Sequence, residues 1–167
     1  MSRGFVKEGD QEEVPMVPQR AYLPEGVPNF VTTNGLEQLL AEKDALIAEK
    51  ENLGIANENE KRIAVNFINA KLQLLNNRIT DARVVDPKDQ PTDEVTFGAT
   101  ITLKNVASGK IQTFQIVGVD EANIASGKIS FISPLARALL NKKSGDRVNL
   151  KRERDEIVFE VTQIEYR

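Results

Sequence analysis

The sequence predicts an α+β protein in which an antiparallel helical hairpin, a coiled coil, precedes a small antiparallel-sheet domain with one short helix. Three observations lead to this prediction. Apolar residues recur every three or four positions in two adjacent stretches within residues 32–85. Two prolines, Pro87 and Pro91, then interrupt the chain. From residue 94 onward, apolar and polar residues alternate in short runs separated by glycine-containing turns.

Residues 1–31 differ in composition from the rest of the chain. Four of the seven prolines lie here, next to an acidic run at residues 10–13. Such a composition is typical of an extended or flexible tail. An alternative is that the segment docks on the protein or on a partner through its apolar side chains, which are Tyr22, Leu23 and Phe30.

The predicted hairpin comprises residues 32–85. Its first helix begins near Asn34, a capping residue with Glu37 three positions later, as in a capping box. The apolar stripe of this helix consists of Leu36, Leu39, Leu40, Leu46, Ile47 and Leu53. A turn is expected within residues 54–59, followed by a second helix over residues 59–82. Its stripe consists of Val65, Ile68, Leu72, Leu75, Ile79 and Ala82. Adjacent amphipathic helices joined by a short loop fold back on each other.

Residues 86–93 are predicted to be a linker, and residues 94–167 the sheet domain. Five strands are expected in that domain, at residues 95–103, 111–117, 129–132, 147–151 and 157–164. Between the third and fourth strands, Ser133 can cap a short apolar helix, and Pro134 suits its first turn because no backbone N–H is needed there.

Composition excludes several classes of chemistry. The chain has no cysteine and no histidine, which removes thiol catalysis, histidine-based catalytic triads and zinc sites built from these residues. A net charge of −3 argues against bulk electrostatic binding of nucleic acid. No apolar run approaches the roughly 18 residues of a membrane span, and the first residues lack the apolar region of a signal peptide. We therefore expect a cytoplasmic monomer with no membrane partner.

Several sequence blocks, in the same order, resemble the GreA/GreB family of bacterial transcript-cleavage factors. The most informative block, residues 128–142, is similar to that family's signature of Ile-Ser, two variable residues, Ser-Pro, an apolar residue and Ala-Arg-Ala-Leu. The resemblance covers about residues 30–167. The other blocks that carry it are residues 30–39, 95–103, 114–122 and 158–166.

The resemblance implies a fold and a partner. Residues 94–167 would be FKBP-like and would dock on RNA polymerase, while the hairpin would enter the polymerase secondary channel and act on backtracked complexes. Contact with nascent RNA and DNA would be indirect. The expected polymerase-binding residues are Ser133, Pro134, Leu135, Ala136 and Arg137, together with Asp120 and Glu121. From the residues alone, the last two also fit a turn or a metal-binding acid pair.

The hairpin tip is where the resemblance places chemistry. The family carries an acidic pair there that helps the polymerase hold a second Mg²⁺, an ion that prefers oxygen ligands. Glu58 and Glu60 are the candidates in this chain, although Ile55 stands where the family has an aspartate. Such a protein would not be an enzyme or hold a metal on its own; at most it would supply carboxylates to the polymerase site. The alternative is that both glutamates are a solvated helix start favoured by the helix dipole.

Three other functions remain open at this point. A non-cleaving relative could dock in the same place and modulate or inhibit the polymerase, as the altered tip suggests. An FKBP-like fold allows a prolyl isomerase or chaperone, although such sites are lined by aromatic residues, which make up only 5% of this chain. A coiled-coil dimerisation module is the third.

Overall fold

The computed structural model describes residues 15–167. The first 14 positions of the predicted tail, including its acidic run, lie outside the described residues. Residues 15–28 contain no helix or strand. The next three residues, assigned to the tail from the sequence, instead form a strand, β1 (Asn29–Val31).

Two helices form the hairpin, α1 (Thr33–Glu51) and α2 (Glu58–Thr80). They pack on each other through a core that consists of Leu39, Leu46, Ile68, Leu72 and Leu75, with Val31 at its base. The periodicity predicted nearly all of this stripe because helical spacing brings these positions onto one face. One position differs, since Leu40 lies on the outer side of α1 with 43% of its surface exposed.

The start of α1 differs from the sequence prediction. Thr32 is the capping residue, and its Oγ1 accepts a hydrogen bond from the backbone N–H of Gly35 at 2.9 Å. The predicted cap, Asn34, already lies inside the helix. Both Thr32 and Asn34 are good capping residue types, and the buried position of Thr32 decides between them.

The base of the hairpin contains a strand where the sequence predicted the end of the second helix and the last residues of the hairpin. The strand β2 (Ala82–Val84) follows α2 directly and pairs in parallel with β1, so the chain enters and leaves the hairpin through one small sheet. A short 3₁₀ helix, Pro87–Asp89, then occupies part of the predicted linker.

The C-terminal domain is a five-stranded sheet. Its strands are β3 (Thr100–Asn105), β4 (Ile111–Val117), β5 (Lys128–Ser130), β6 (Arg147–Lys151) and β7 (Glu156–Glu165). Their order is β5-β4-β3-β7-β6, and all neighbours are antiparallel except the parallel pair β4 and β5. The helix α3 (Pro134–Leu139) packs against this sheet. The predicted α+β class, a helical hairpin followed by a sheet domain with one short helix, is confirmed.

The first strand of the sheet starts later than predicted. Alternation of apolar residues indicated a strand from Val95, but residues 96–99 form a turn, with the N–H of Ala99 bonded to the carbonyl of Thr96. Gly98 has φ of +92°, a conformation that β-carbon-bearing residues avoid. Alternation therefore continues through a segment in which the backbone is not extended.

The side chain of Tyr166 closes the domain. Its hydroxyl donates to the carbonyl of Glu94 at 2.5 Å and accepts from the N–H of Thr96 at 2.8 Å. The two ends of the domain are thereby fastened together. Within residues 15–167, none of the helices is long and apolar enough to span a membrane.

Candidate functional site

The helix α3 presents two of the five residues predicted for this surface. Pro134 and Arg137 are exposed, and Ser133 caps the helix by accepting from the N–H of Ala136 at 3.3 Å. Ala136 is fully buried, and Leu135 packs partly against the core. A partner that contacts this helix would therefore meet Pro134 and Arg137, while Ala136 holds the helix in place from below.

The surface of α3 is rigidly supported. Leu139 is fully buried on the inner side of the helix. Immediately after α3, the N–H of Asn141 donates to the carbonyl of Val95, and the N–H of Val95 donates to the carbonyl of Lys142. Arg137 forms no ion pair with any residue among positions 15–167. Its guanidinium is thus an exposed, uncompensated positive charge on a fixed helix.

The hairpin tip carries the two predicted carboxylates, both exposed. Asn57 caps α2 by accepting from the N–H of Glu60 at 3.0 Å, which makes Glu58 the first helical residue. Two positions along a helix correspond to about 200° of rotation, so Glu58 and Glu60 point to nearly opposite sides. They do not form a convergent pair of ligands.

No metal-binding cluster accompanies these glutamates. Among the described residues, no group of three or more acidic side chains converges on a common point. Ile55, at the position where an acid was expected by resemblance, is partly buried in the loop between the helices.

The structure places Glu121 inside the protein, not on the surface predicted from the sequence. The residue is 8% exposed, and its carboxylate accepts a hydrogen bond from Thr32 Oγ1, with distances of 2.5 Å to Oε1 and 2.9 Å to Oε2. A β-carbon on Gly35 would approach Glu121 Oε1 to 2.8 Å, so the glycine leaves room for this carboxylate. Glu121 joins the domain to the start of α1.

Asp120 is likewise engaged with the chain's own residues. Its Oδ1 accepts from Arg20 Nε at 3.0 Å, and its Oδ2 accepts from Arg78 Nη1 at 3.3 Å. Arg20 also bonds Glu42 on α1, with Nη1 at 2.6 Å from Oε2. Hydrogen bonding to Glu42, and the negative charges of Asp120 and Glu42, raise the pKa of Arg20 above its ordinary value. The side chain of Asp120 is only 8% exposed and both of its carboxylate oxygens accept from arginines of this chain; its contact with a partner stays a prediction.

Three aromatic rings complete the junction between the hairpin base and the domain. Phe30 on β1 lies with its ring centroid 5.9 Å from that of Phe97 and 5.6 Å from that of Phe131. The backbone of β1 also approaches Gly118 so closely that a β-carbon there would lie 2.5 Å from the carbonyl oxygen of Phe30. Phe30 thus packs on the protein, as the alternative interpretation of the early segment predicted. Tyr22, which that interpretation also named, is 75% exposed.

Sequence reasoning did not find the junction residues Arg20, Thr32 and Arg78. Their bonds to Asp120 and Glu121 join residues that are 42 to 100 positions apart along the chain, and no local pattern marks such contacts. One signal was present: Thr32 precedes a helical periodicity, as a capping residue does.

The described residues thus form a two-part α+β protein. A helical hairpin with an exposed acidic tip is held on a small sheet domain, which carries an exposed arginine on a capped helix. Residues 90–166 match the family model "Transcription elongation factor, GreA/GreB, C-term". The chain belongs to the GreA/GreB family of transcription elongation factors.

Relatives with assigned names support this membership over most of the chain. Transcription elongation factor GreA of Francisella tularensis subsp. novicida (strain U112) is 34% identical over 153 residues, covering 82% of this chain and 96% of the relative. GreA of Francisella tularensis subsp. tularensis (strain WY96-3418) matches with the same figures.

Solved structures of this group also resemble the protein. GreA factor homolog 1 (Gfh1) of Thermus thermophilus has a TM-score of 0.40 at 21% identity, covering 83% of this chain and 99% of that one. A GreA/GreB factor from Nitrosomonas europaea has a TM-score of 0.42 at 18% identity, covering 84% and 99% of the two chains.

Proposed function

We propose that this protein is a transcription elongation factor that binds bacterial RNA polymerase at its secondary channel and acts on backtracked complexes in the cytoplasm. The observation that carries the proposal is the surface of α3. Arg137 is exposed and unpaired among the described residues, and it lies one helical turn from exposed Pro134. Because exposed arginine is common in protein interfaces and suits carboxylate partners, this surface fits an acidic patch on the polymerase.

The hairpin is the element that would enter the channel. Its helices have 19 and 23 residues, which at a rise of about 1.5 Å per residue extend for roughly 28 and 34 Å. The alignment with the Francisella relative spans 153 positions, but only 82% of the 167 residues of this chain take part in it. Some aligned positions of the relative therefore have no counterpart in this chain. A hairpin shortened by one heptad would withdraw its tip by about 10 Å.

The tip geometry favours a second output, occupation of the channel without stimulation of RNA cleavage. Cleavage would require Glu58 or Glu60 to place an oxygen about 2.0 to 2.1 Å from a Mg²⁺ ion that the polymerase holds. The two side chains diverge, and Ile55 supplies no third carboxylate. Without a convergent pair, the hairpin acts as a steric element in the channel.

A backtracked transcription complex separates these outputs. The cognate polymerase is stalled on a template, the protein is added, and the length of the RNA is followed from its 3′ end. RNA shortened by the parent protein, but not by the Glu58→Ala/Glu60→Ala variant, would establish cleavage that uses these carboxylates. Intact RNA, together with displacement of a cleaving GreA from the complex, would establish a non-cleaving modulator.

The docking surface is tested in the same assay. Arg137→Glu reverses the exposed charge without altering the core, so it should abolish competition with GreA. Arg154→Glu makes the same charge change in the exposed turn between β6 and β7 and should leave competition unchanged. Equal competition by both variants would contradict the assignment of α3, and no competition by the parent protein would overturn the proposed function.

A further inference from the structure

A segment before the hairpin, residues 15–28, which we call the strap, lies across the junction of the hairpin and the domain. It forms one wall of a groove of about 540 Å³. The other walls come from all three neighbouring elements, with Glu42 and Leu46 on α1, Lys71 on α2 and Val119 in the loop after β4. The strap therefore lies where the two parts of the protein meet.

Arg20 of the strap contacts both parts at once. Its Nη1 and Nη2 donate to Glu42 on α1, at 2.6 and 3.1 Å, and its Nε donates to Asp120 in the domain at 3.0 Å. An arginine can make these bonds together because its donors are fixed in one plane. Its side chain is 18% exposed, so the bonds are partly shielded from solvent.

Arg78 on α2 closes the arrangement. Its Nη1 donates to the second oxygen of Asp120 at 3.3 Å, and its Nη2 donates to the backbone carbonyl of Ala21 in the strap. Two positive and two negative groups thus join the strap, both helices and the domain. The side chains of Arg20, Arg78 and Asp120 are largely buried, with 18%, 16% and 8% exposure. Buried charges that are paired are costly to separate, because removing one leaves its partner uncompensated.

The other hairpin–domain contacts described above lie at the base of the hairpin. After β2, the chain passes from the hairpin to the domain through residues 85–93. The buried Thr32–Glu121 bond and the Phe30 contacts lie close together at the hairpin base. Contacts at one point leave rotation about that point possible, as in hinged domains. The bonds of Arg20 reach further along α1, to Glu42.

We infer that Arg20 is a positioning residue: it fastens the strap across the junction and fixes the direction in which the hairpin projects from the domain. The consequence for the polymerase, that the tip is already aligned with the channel when α3 docks, rests on the proposed function. The orientation itself does not, since it is a property of the free protein.

Distance measurements on the free protein test the inference. The chain has no cysteine, so cysteines introduced at exposed Ala56, in the tip loop, and exposed Ala107, after β3, can carry two spin labels. Double electron–electron resonance then gives the distribution of distances between them. We expect one narrow peak for the parent sequence and a broadened or split distribution for Arg20→Gln.

Arg152→Gln is the matched control, because Arg152 is also a paired arginine but bonds only its neighbour Asp155. Its distribution should equal that of the parent sequence. An Arg20→Gln distribution equal to the control would overturn the inference.

A second variant covers the case in which Arg20→Gln reduces folding, as seen by circular dichroism. Glu42→Ala removes both acceptor oxygens on α1 and leaves Asp120 paired with Arg20 and Arg78. Because Glu42 is exposed on a helix, folding should be retained and the distribution should broaden. An unbroadened distribution for folded Glu42→Ala would also refute the fixing role of the Arg20 bonds. None of these outcomes depends on whether the protein binds polymerase.

Discussion

Replacing Thr32 by valine should destabilise the protein strongly, although valine has nearly the same shape. The Thr32 hydroxyl has two functions: it accepts from the N–H of Gly35 and donates to the carboxylate of Glu121. Loss of a helix cap costs about 1 kcal/mol. Loss of a hydrogen bond to a charged group costs about 1.5 to 3 kcal/mol. The free energy of unfolding should therefore fall by roughly 3 kcal/mol.

Urea unfolding followed by circular dichroism measures this change. For a slope of about 1 to 3 kcal/mol per molar urea, the midpoint should fall by at least about 1 M. Thr32→Ser is the control, because it keeps the hydroxyl and removes one methyl group, which costs about 0.8 kcal/mol.

We also expect the effects of changes at Thr32 and Glu121 to be coupled. Adding Glu121→Leu to Thr32→Val removes the carboxylate that valine leaves unpaired, so the two changes together should cost less than their sum. Equal midpoints for Thr32→Val and Thr32→Ser would refute the argument, because the hydroxyl would then contribute nothing to the junction.

Two further predictions concern backbone approach and surface charge. Gly118→Ala should lower the free energy of unfolding by about 1 to 3 kcal/mol, because its β-carbon would lie 2.5 Å from the carbonyl oxygen of Phe30; Gly54→Ala, with open space around it, should not. In an NMR titration, Asp155 should show a pKa below its ordinary 3.8, because Arg152 donates to it, and Arg152→Gln should restore the ordinary value. The stabilisation from this exposed pair is present above the unfolded-state pKa and fades as the pH falls through the lower folded-state value.

The helices and most of the sheet could be predicted because their signals are local. A stripe of apolar residues three and four apart identifies a helix wherever it packs, and alternation over five or more residues identifies a strand. The pairing of β1 with β2 carries neither signal, since each strand has three residues and the whole hairpin separates the two strands in sequence. The turn at Gly98 was missed because alternation does not reveal a positive φ.

In the candidate site, too, the features with local signals could be predicted from the sequence and the features that depend on distant residues could not. Capping of α3 by Ser133 was predictable from the sequence, and the role of its exposed Arg137 in binding stays a prediction. The resemblance assigned Asp120 and Glu121 to a polymerase-binding surface, and the residues alone also fitted a turn. Their burial could not be predicted because their partners are remote in sequence. Which acid is buried depends on which distant residue is folded against it, and this information does not lie in any window of adjacent residues.

The fastening of Tyr166 to Glu94 has a consequence for how the chain folds during synthesis. The hairpin is built from contacts between neighbouring helices and can form while the ribosome is still translating the domain, because local contacts close small loops. The domain cannot do so, since β7 lies between β3 and β6. Its sheet stays divided until β7 and Tyr166 have been made, and until then the edge of β3 that pairs with β7 is unpaired. We therefore expect the nascent domain to be the part of this protein that chaperones recognise.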